Sequence, residues 1–372
     1  MSATLQDILN LLESRYPSAW AMSGDKTGLE VGHPGKQVKS LLVALEVTPA
    51  IVAEAAQRGA QLLLTHHPLL YQPLKDVRED RPGGRLLTDL VRAGLAMVSC
   101  HTNLDIAPGG LNDYLAQKLE LTGVEVLTPT TRDPWYKLVV FVPAGFDAPV
   151  RQALGDAGLG VIGNYSHCSF ASPGQGSYTP LPGAHPFQGE VGVLSEAKET
   201  RLEILAPESL LPAALSRLKA THPYEEVAYD LYPVRHPGTP LGLGRIGSWP
   251  APRPFSQVIS LVKTIFGVES VQVWGQPPKL VQRLALCSGS GGELLPNALT
   301  RGAQLYLTGE VRHHQVPPGL QEGFAVAAVG HFASEVVFME PWAGQLQEMF
   351  RQADLGLEVM VAANQPPPCY SV

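Results

Sequence analysis

Leu62-Leu63-Leu64-Thr65-His66-His67-Pro68 is a short apolar run that stops at two adjacent histidines, and its reading decides the fold. Entered from Arg58-Gly59-Ala60 and closed by a proline, it is expected to be a buried parallel strand, because strands covered on both faces read as continuous apolar runs. Open α/β sheets gather their ligands beyond the carboxyl ends of such strands, which is where His66 and His67 fall. Pro68 holds His67 in the extended region, and successive side chains of an extended segment point to opposite sides. The two rings are therefore poorly placed to share one ion and well placed to serve two neighbouring ones. These seven residues alone fit equally well two solvated histidines after a strand, and the rest of the chain decides between the readings.

At 372 residues the chain is expected to hold about two or three domains, and a composition 45% hydrophobic and 16% charged describes well-filled cores. A formal net charge of -7, without any basic stripe, argues against a nucleic-acid binder, which needs a basic surface for phosphate contacts. Met1-Ser2-Ala3-Thr4-Leu5-Gln6-Asp7 has neither the basic nor the apolar region of a secretion signal, and no apolar run approaches a membrane span. Cys100, Cys168, Cys287 and Cys369 are scattered without a C-x-x-C pair, so neither a disulfide framework nor a thiolate zinc site is indicated. A cytoplasmic, reduced setting is the expectation.

Residues 4 to 15 read as a helix, with Leu5, Ile8, Leu9, Leu11 and Leu12 at helical spacing and a Thr4/Asp7 capping pair. Asp25 to Gly32 suggests a loop or an edge hairpin. A strand over Leu41 to Val47 leads through a helix opened by Thr48-Pro49 into the Leu62 strand. A helix around Leu86 to Ala93 then leads to a third strand, Leu95 to Cys100. From Thr128 the character changes: Tyr136 to Val142 (strand), Ala148 to Ala157 (helix), Glu190 to Leu194 and Arg201 to Ala206 (strands), Ser209 to Ala220 (helix) and Val227 to Tyr232 (strand) give the order βαββαβ of a ferredoxin-like domain. The run from Gly158 to Gly189 reads as loops with short strands, and Pro233, Pro237, Gly238, Pro240, Gly242 and Gly244 mark the exit.

The chain beyond this insert repeats the part before it. Arg301-Gly302-Ala303-Gln304-Leu305-Tyr306-Leu307-Thr308 matches Arg58-Gly59-Ala60-Gln61-Leu62-Leu63-Leu64-Thr65 at every position but one, and strands Val38 to Val47 and Val281 to Ser288 precede the two copies in the same register. The expected fold is thus α/β, with duplicated strand-helix units forming a two-lobed core and an inserted ferredoxin-like α+β domain. The boundaries are 1–128 and 241–372 for the lobes and 129–240 for the insert.

The chemistry is duplicated too. The strand over Leu95 to Cys100 ends in His101-Thr102-Asn103-Leu104-Asp105, and one over Ala325 to Val329 ends in Gly330-His331-Phe332-Ala333-Ser334-Glu335. If a helix starts at His331, residues four apart share one face and both side chains reach one ion. His66, His67, Asp105, His331 and Glu335 are accordingly candidate ligands of two divalent ions, with Glu335 suited to bridge them. Imidazoles and carboxylates without thiolates suit Zn²⁺, Mn²⁺ or Fe²⁺ alike. His101 is open to three roles: ligand, partner orienting Asp105, or proton carrier. Glu310 stands where the first copy has His67, and reads either as a general base or as a solvated glutamate. Cys287-Ser288-Gly289-Ser290-Gly291-Gly292 joins a strand to a helix and reads either as a phosphate cradle or as a tight turn. His222-Pro223-Tyr224-Glu225-Glu226 favours a structural role, His313-His314 solvent exposure, and His167, Cys168 and His185 the insert's loops.

These motifs resemble a known family: the dinuclear-metal-centre hexameric proteins known as GTP cyclohydrolase I type 2 homologs, related to the yeast Ngg-interacting factor three. The resemblance rests on Thr65-His66-His67-Pro68, His101 to Asp105 with Pro108-Gly109-Gly110, Thr308-Gly309-Glu310 and Gly330-His331 to Ser334-Glu335, and it covers essentially the whole chain. Gly163-Asn164-Tyr165-Ser166, Cys168-Ser169-Phe170 and His222 to Tyr229 resemble the insert of longer bacterial members, which is similar in fold to PII-like proteins. The resemblance implies a homohexamer with metal pairs facing an internal cavity, and His66, His67, Asp105, His331 and Glu335 as metal ligands. This chain departs from the family pattern at Gly24-Asp25-Lys26-Thr27, where Trp-Asp-Asn is usual, and at Glu310, where aspartate is usual. Two function classes are implied: a metal-dependent hydrolase acting on a small molecule such as a nucleotide or related heterocycle, or a non-catalytic metal-binding or regulatory assembly whose insert senses a ligand.

Overall fold

Thr4 and Asp7 cap the first helix as their spacing predicts: the Asp7 amide donates to the Thr4 hydroxyl at 3.2 Å and the Thr4 amide to the Asp7 carboxylate at 2.8 Å. The computed structural model describes residues 3–235, 238–316, 320, 322–363, 365 and 367, so that Pro237 and Cys369 lie outside the described residues. In chain order the elements begin with β1 (Ala3–Thr4), α1 (Leu5–Arg15), β2 (Gly28–Val31), β3 (Gln37–Val38), β4 (Ser40–Ala44), α2 (Pro49–Gln57), β5 (Leu62–Thr65), α3 (Pro82–Arg92) and β6 (Ala96–Ser99). They continue with α4 (Thr102–Ile106), α5 (Leu111–Lys118), β7 (Thr122–Asp133), β8 (Trp135–Pro143), α6 (Asp147–Asp156), β9 (Ser169–Tyr178), β10 (Ser195–Pro207), α7 (Leu211–Thr221) and β11 (Tyr229–Pro233). The last part holds β12 (Thr239–Pro254), α8 (Phe255–Phe266), β13 (Gln272–Gly275), β14 (Leu280–Cys287), α9 (Leu295–Thr300), β15 (Leu305–Thr308), β16 (Ala325–Ala328), α10 (His331–Val336), α11 (Met339–Gln352) and β17 (Glu358–Val361).

Met1–Thr131 and Leu241–Val372 form one compact unit, and Arg132–Pro240 forms another. In the first unit a five-stranded sheet has the order β17-β4-β5-β6-β2 and a six-stranded sheet the order β13-β16-β15-β14-β12-β7. The middle of each is parallel, β4-β5-β6 in one and β14-β15-β16 in the other, and the expected hairpin segment becomes the antiparallel edge strand β2. The repeat is visible in the pairing. Leu41 faces Leu62, which faces Ala96, and Leu284 faces Leu305, which faces Ala325. The side-chain oxygen of Gln61 accepts the amides of Lys39 and Ser40, while that of Gln304 accepts those of Gln282 and Arg283, the equivalent positions.

Alternation along the strands explains how one core serves both sheets. Leu62 and Leu64 of β5 and Leu305 and Leu307 of β15 belong to the same buried cluster, together with Phe338, Trp342 and Phe350 of the C-terminal helical segment. Leu63 and Tyr306 point the other way into separate clusters, covered by α2 in one sheet and by α9 in the other. Burying leucines on both faces contributes about 1.5–3 kcal/mol each. It leaves β5 with no solvent side, which is why it reads as an unbroken apolar run.

The second unit is a four-stranded antiparallel sheet of order β11-β8-β10-β9. Val150 and Leu154 of α6 and Ala214 and Leu218 of α7 pack on Leu138, Val140, Leu202 and Ile204. The element order is βαββαβ, but its second strand is not where the sequence pattern puts it. Glu190 to Leu194 forms turns, and the strand is β9, inside the glycine- and serine-rich run. Its local composition, Ser-Pro-Gly-Gln-Gly-Ser, is that of a loop, yet cross-strand pairing from Ser169–Ile204 to Tyr178–Ser195 holds it extended at the sheet edge.

Candidate metal centre

The ends of the parallel strands bring the candidate ligands together. His66 and His67 continue the β5 ladder, their amides donating to Ala44 O at 3.3 Å and Leu45 O at 2.8 Å. His66 follows Leu62 and Leu64 toward the core and is fully buried, and His67 leaves by the opposite side, partly exposed. Beyond β6, His101 stands at the N-cap of α4, which carries Asp105. Beyond β16, Gly330 at φ +98° turns the chain into α10, whose first residue is His331 and whose next turn presents Glu335.

The geometry centres on the buried Glu335 carboxylate. Its Oε1 lies 3.7 Å from His66 Nε2, while its Oε2 lies 2.9 Å from His67 Nε2 and 3.2 Å from His331 Nε2. Asp105 Oδ1 lies 3.8 Å from His66 Nε2. The His101 ring stands 5.3 Å from that of His66 and 5.8 Å from that of His67, centroid to centroid. His66, His67 and His101 form one cluster able to hold an ion, and His67, His331 and Glu335 form another. Among the described residues, two buried atoms aimed into this space have no hydrogen-bond partner, His66 Nε2 and Glu335 Oε2. The neighbouring imidazole nitrogens are close to Oε2 but out of line for an N–H bond. Unpartnered buried polar atoms are costly, and a cation among them removes that cost.

Each histidine is fixed from behind. His66 Nδ1 lies 2.9 Å from Cys100 O, His101 Nδ1 lies 2.6 Å from Asp25 Oδ1, and His331 Nδ1 lies 3.1 Å from Glu310 Oε1. Such contacts set ring orientation and leave Nε2 for a ligand. Asp25 is itself held by the amide of Thr102 at 3.1 Å and by its hydroxyl. Glu46 Oε2 lies 3.8 Å from His67 Nδ1, and Ser288 Oγ donates to Asp105 Oδ1 at 3.4 Å.

The charges are strongly coupled. Burial works against ionisation of Glu335, but the three imidazoles around it hold its carboxyl well below the ordinary range. Burial lowers the affinity of His67 for a proton, yet the Glu335 and Glu46 carboxylates raise its pKa to about 10, and the adjacent Glu335 carboxylate raises that of His331 to about 9. Burial raises that of Asp105. This is a set of side chains arranged to receive positive charge. The thiol of Cys100 is pushed up to about 12 by burial, and that of Cys287 is also raised, so neither offers a thiolate.

The structure therefore brings His66, His67, His101, Asp105, His331 and Glu335 together. Glu310 reaches the cluster through His331. Three amides of the Cys287 to Gly292 loop are bonded within the fold, which counts against the phosphate-cradle reading: Ser288 N to Asn112 Oδ1 at 3.0 Å, Gly289 N to Ser334 Oγ at 2.9 Å and Gly291 N to Thr308 Oγ1 at 3.1 Å. Gly289, at φ +58°, instead leaves the space in which the Glu335 carboxylate lies, and a Cβ there would stand 3.4 Å from His331 Nε2. His222 is satisfied structurally, its Nε2 3.1 Å from Phe141 O and its Nδ1 accepting the Tyr224 amide at 3.1 Å. His167 lies 3.2 Å from Asp156, and His313 and His314 are exposed. Asp25 and Glu46 are the residues that sequence reasoning missed. Asp25 is polar in a polar loop and carries no periodic signal, whereas Glu46 does follow a strand end, as His66 does.

Among the described residues no helix is long and apolar enough to cross a membrane. Comparison with known proteins places the chain among relatives along its length. It is 39% identical over 363 residues to the GTP cyclohydrolase 1 type 2 homolog of Bacillus subtilis, covering 98% of this chain and 97% of that one. The homolog so named from Mycobacterium tuberculosis is 36% identical over 376 residues, at 98% and 97% coverage. A crystal structure of a Bacillus cereus protein related to NIF3 superposes with a TM-score of 0.82 at 37% identity, covering 100% of both chains. The profile described as Duf34/NIF3 (NGG1p interacting factor 3) matches residues 3–368, and the chain belongs to that family.

Proposed function

We propose that the centre holds two divalent cations and that the protein is a metal-dependent hydrolase acting on a nucleotide or related heterocycle. The observation that carries this reading is the division of Glu335: one oxygen faces His66, the other faces His67 and His331. The ligand set would be His66 and Asp105 on the Oε1 side and His67 and His331 on the Oε2 side, with Glu335 shared and His101 beside both histidines of β5. Its imidazoles and carboxylates suit zinc, iron or manganese. A bound ion pair supplies Lewis-acid polarisation and an activated water. His101, backed by Asp25, would hold or pass a proton at Nε2 in this reading. Glu310 positions His331 through Nδ1 in this reading. Tyr71, exposed and with its ring 6.1 Å from that of His101, offers an aromatic face to a heterocyclic substrate. The name of the Bacillus subtilis relative supports a nucleotide-type substrate by analogy. The insert's βαββαβ order supports its PII-like assignment, and the homohexamer implied by the resemblance is part of the same reading.

The test is metal analysis followed by a nucleotide and pterin panel. Two ions per chain and turnover by the metal-loaded protein are expected, with His66→Ala losing activity while retaining the native circular dichroism spectrum. Light scattering is expected to give the mass of six chains. If the loaded protein consumes no member of the panel, hydrolysis is rejected in favour of a metal-binding or regulatory role.

A further inference from the structure

The inserted unit has a cavity of its own, of about 570 Å³, within the size range of small-molecule sites. Four aromatic residues line it: Phe141, Tyr178, Phe187 and Tyr224. Tyr224 lies 5.9 Å from Phe187 and 6.4 Å from Tyr178, centroid to centroid. Phe187 is steadied by Phe146, 5.5 Å away and edge-on at 86°. The loop that carries Phe187 is pinned where the His185 amide donates to the Glu225 carboxylate at 2.8 Å. The Tyr178 hydroxyl donates to Gln188 O at 2.8 Å, tying the loop's far end to β9.

The charges in this cavity have one sign. Among the described residues its lining includes Glu199, Glu225 and Glu226 and no lysine or arginine. Glu199 accepts the Tyr224 hydroxyl at 3.0 Å, and its carboxylate lies in space that Gly176, lacking a side chain, leaves open on the neighbouring strand. A phosphate or carboxylate ligand would meet only repulsion here, and a neutral apolar ligand would strip water from Glu199 without replacing it. A cation with an apolar body avoids both costs, because aromatic faces and a carboxylate attract the charge while the apolar wall covers the rest. We propose that the cavity binds an organic cation with an apolar body, such as an arylalkylammonium, its charge beside Glu199 and the faces of Tyr178 and Tyr224. This site is separate from the metal centre and does not depend on the hydrolase reading.

Calorimetry on the full chain with 3-phenylpropylammonium and benzyltrimethylammonium tests the proposal, with 3-phenylpropionate as the anion of matching shape. Saturable binding of the two cations and none of the anion is expected. Glu199→Gln is expected to weaken cation binding about tenfold or more. Phe187→Ala, at a loop position 49% exposed, should weaken it similarly. The proposal is overturned if the anion binds as well as the cations. It is equally overturned if neither cation binds saturably to the folded protein, or if both variants keep the original affinity.

Discussion

Replacing Gly289 by alanine separates backbone strain from damage to the candidate metal centre, because a second glycine supplies the control. Gly289 has φ +58° and Gly302 has φ +72°, so an alanine at either takes on the left-handed conformation at about 1–2 kcal/mol. At Gly302 nothing lies within 4 Å of the added Cβ, whereas at Gly289 the Cβ enters the space of the Glu335 carboxylate. The neighbour that must yield is thus the group facing His66, His67 and His331. Displacing a buried carboxylate from three imidazoles raises the total cost at Gly289 to about 3 kcal/mol or more. Metal affinity should fall by about 10- to 100-fold, the range typical when a ligand's support is disturbed. Urea unfolding of the two variants and metal content after dialysis against graded chelator provide the readouts. Gly302→Ala should lose about 1–2 kcal/mol and keep its full metal content. If Gly289→Ala is no less stable than Gly302→Ala and retains metal equally well, the reasoning about Glu335 is wrong.

Three further outcomes are expected. His66→Ala leaves the Cys100 carbonyl without its imidazole partner and should lower stability by about 1–3 kcal/mol while lowering metal stoichiometry, measured by urea unfolding and elemental analysis. Asp25→Asn keeps the shape but removes the carboxylate behind His101; metal affinity or turnover should drop by about 10- to 100-fold, and an unchanged chelator titration and unchanged turnover together would refute a positioning role. Burial depresses the pKa of His222 below its ordinary 6.5, so the unfolded chain takes up this proton first as pH falls. Stability from the neutral ring is therefore full above 6.5 and declines as pH falls toward the folded value, and His222→Gln should flatten that part of the unfolding profile measured between neutral and mildly acidic pH.

Much of the fold was legible because its signals are local. Thr4 and Asp7 announce a helix start, and Pro49 after Thr48 announces another, with the Ile51 amide donating to the Thr48 hydroxyl at 3.2 Å. The repeat around Gln61 and Gln304 was legible because both glutamines hold equivalent amides and leave the same sequence imprint. Glu335 could be paired with His331 because a helix joins them. What stayed hidden depends on partners distant in sequence. Asp25 meets His101 across 76 positions, and no local periodicity around Asp25 reports that meeting. The glycine-rich β9 is extended because β10 holds it, so its own composition misleads. Gly289 is informative only once the position of Glu335 is known.

His66 and His67, just beyond β5, and Glu335 lie on opposite sides of the inserted unit in the sequence, yet their side chains meet within 2.9–3.7 Å. During synthesis the cluster is therefore incomplete until the C-terminal portion has emerged and docked. Ion uptake by the growing chain would then be a late marker of maturation, registering the moment at which the two repeats have come together.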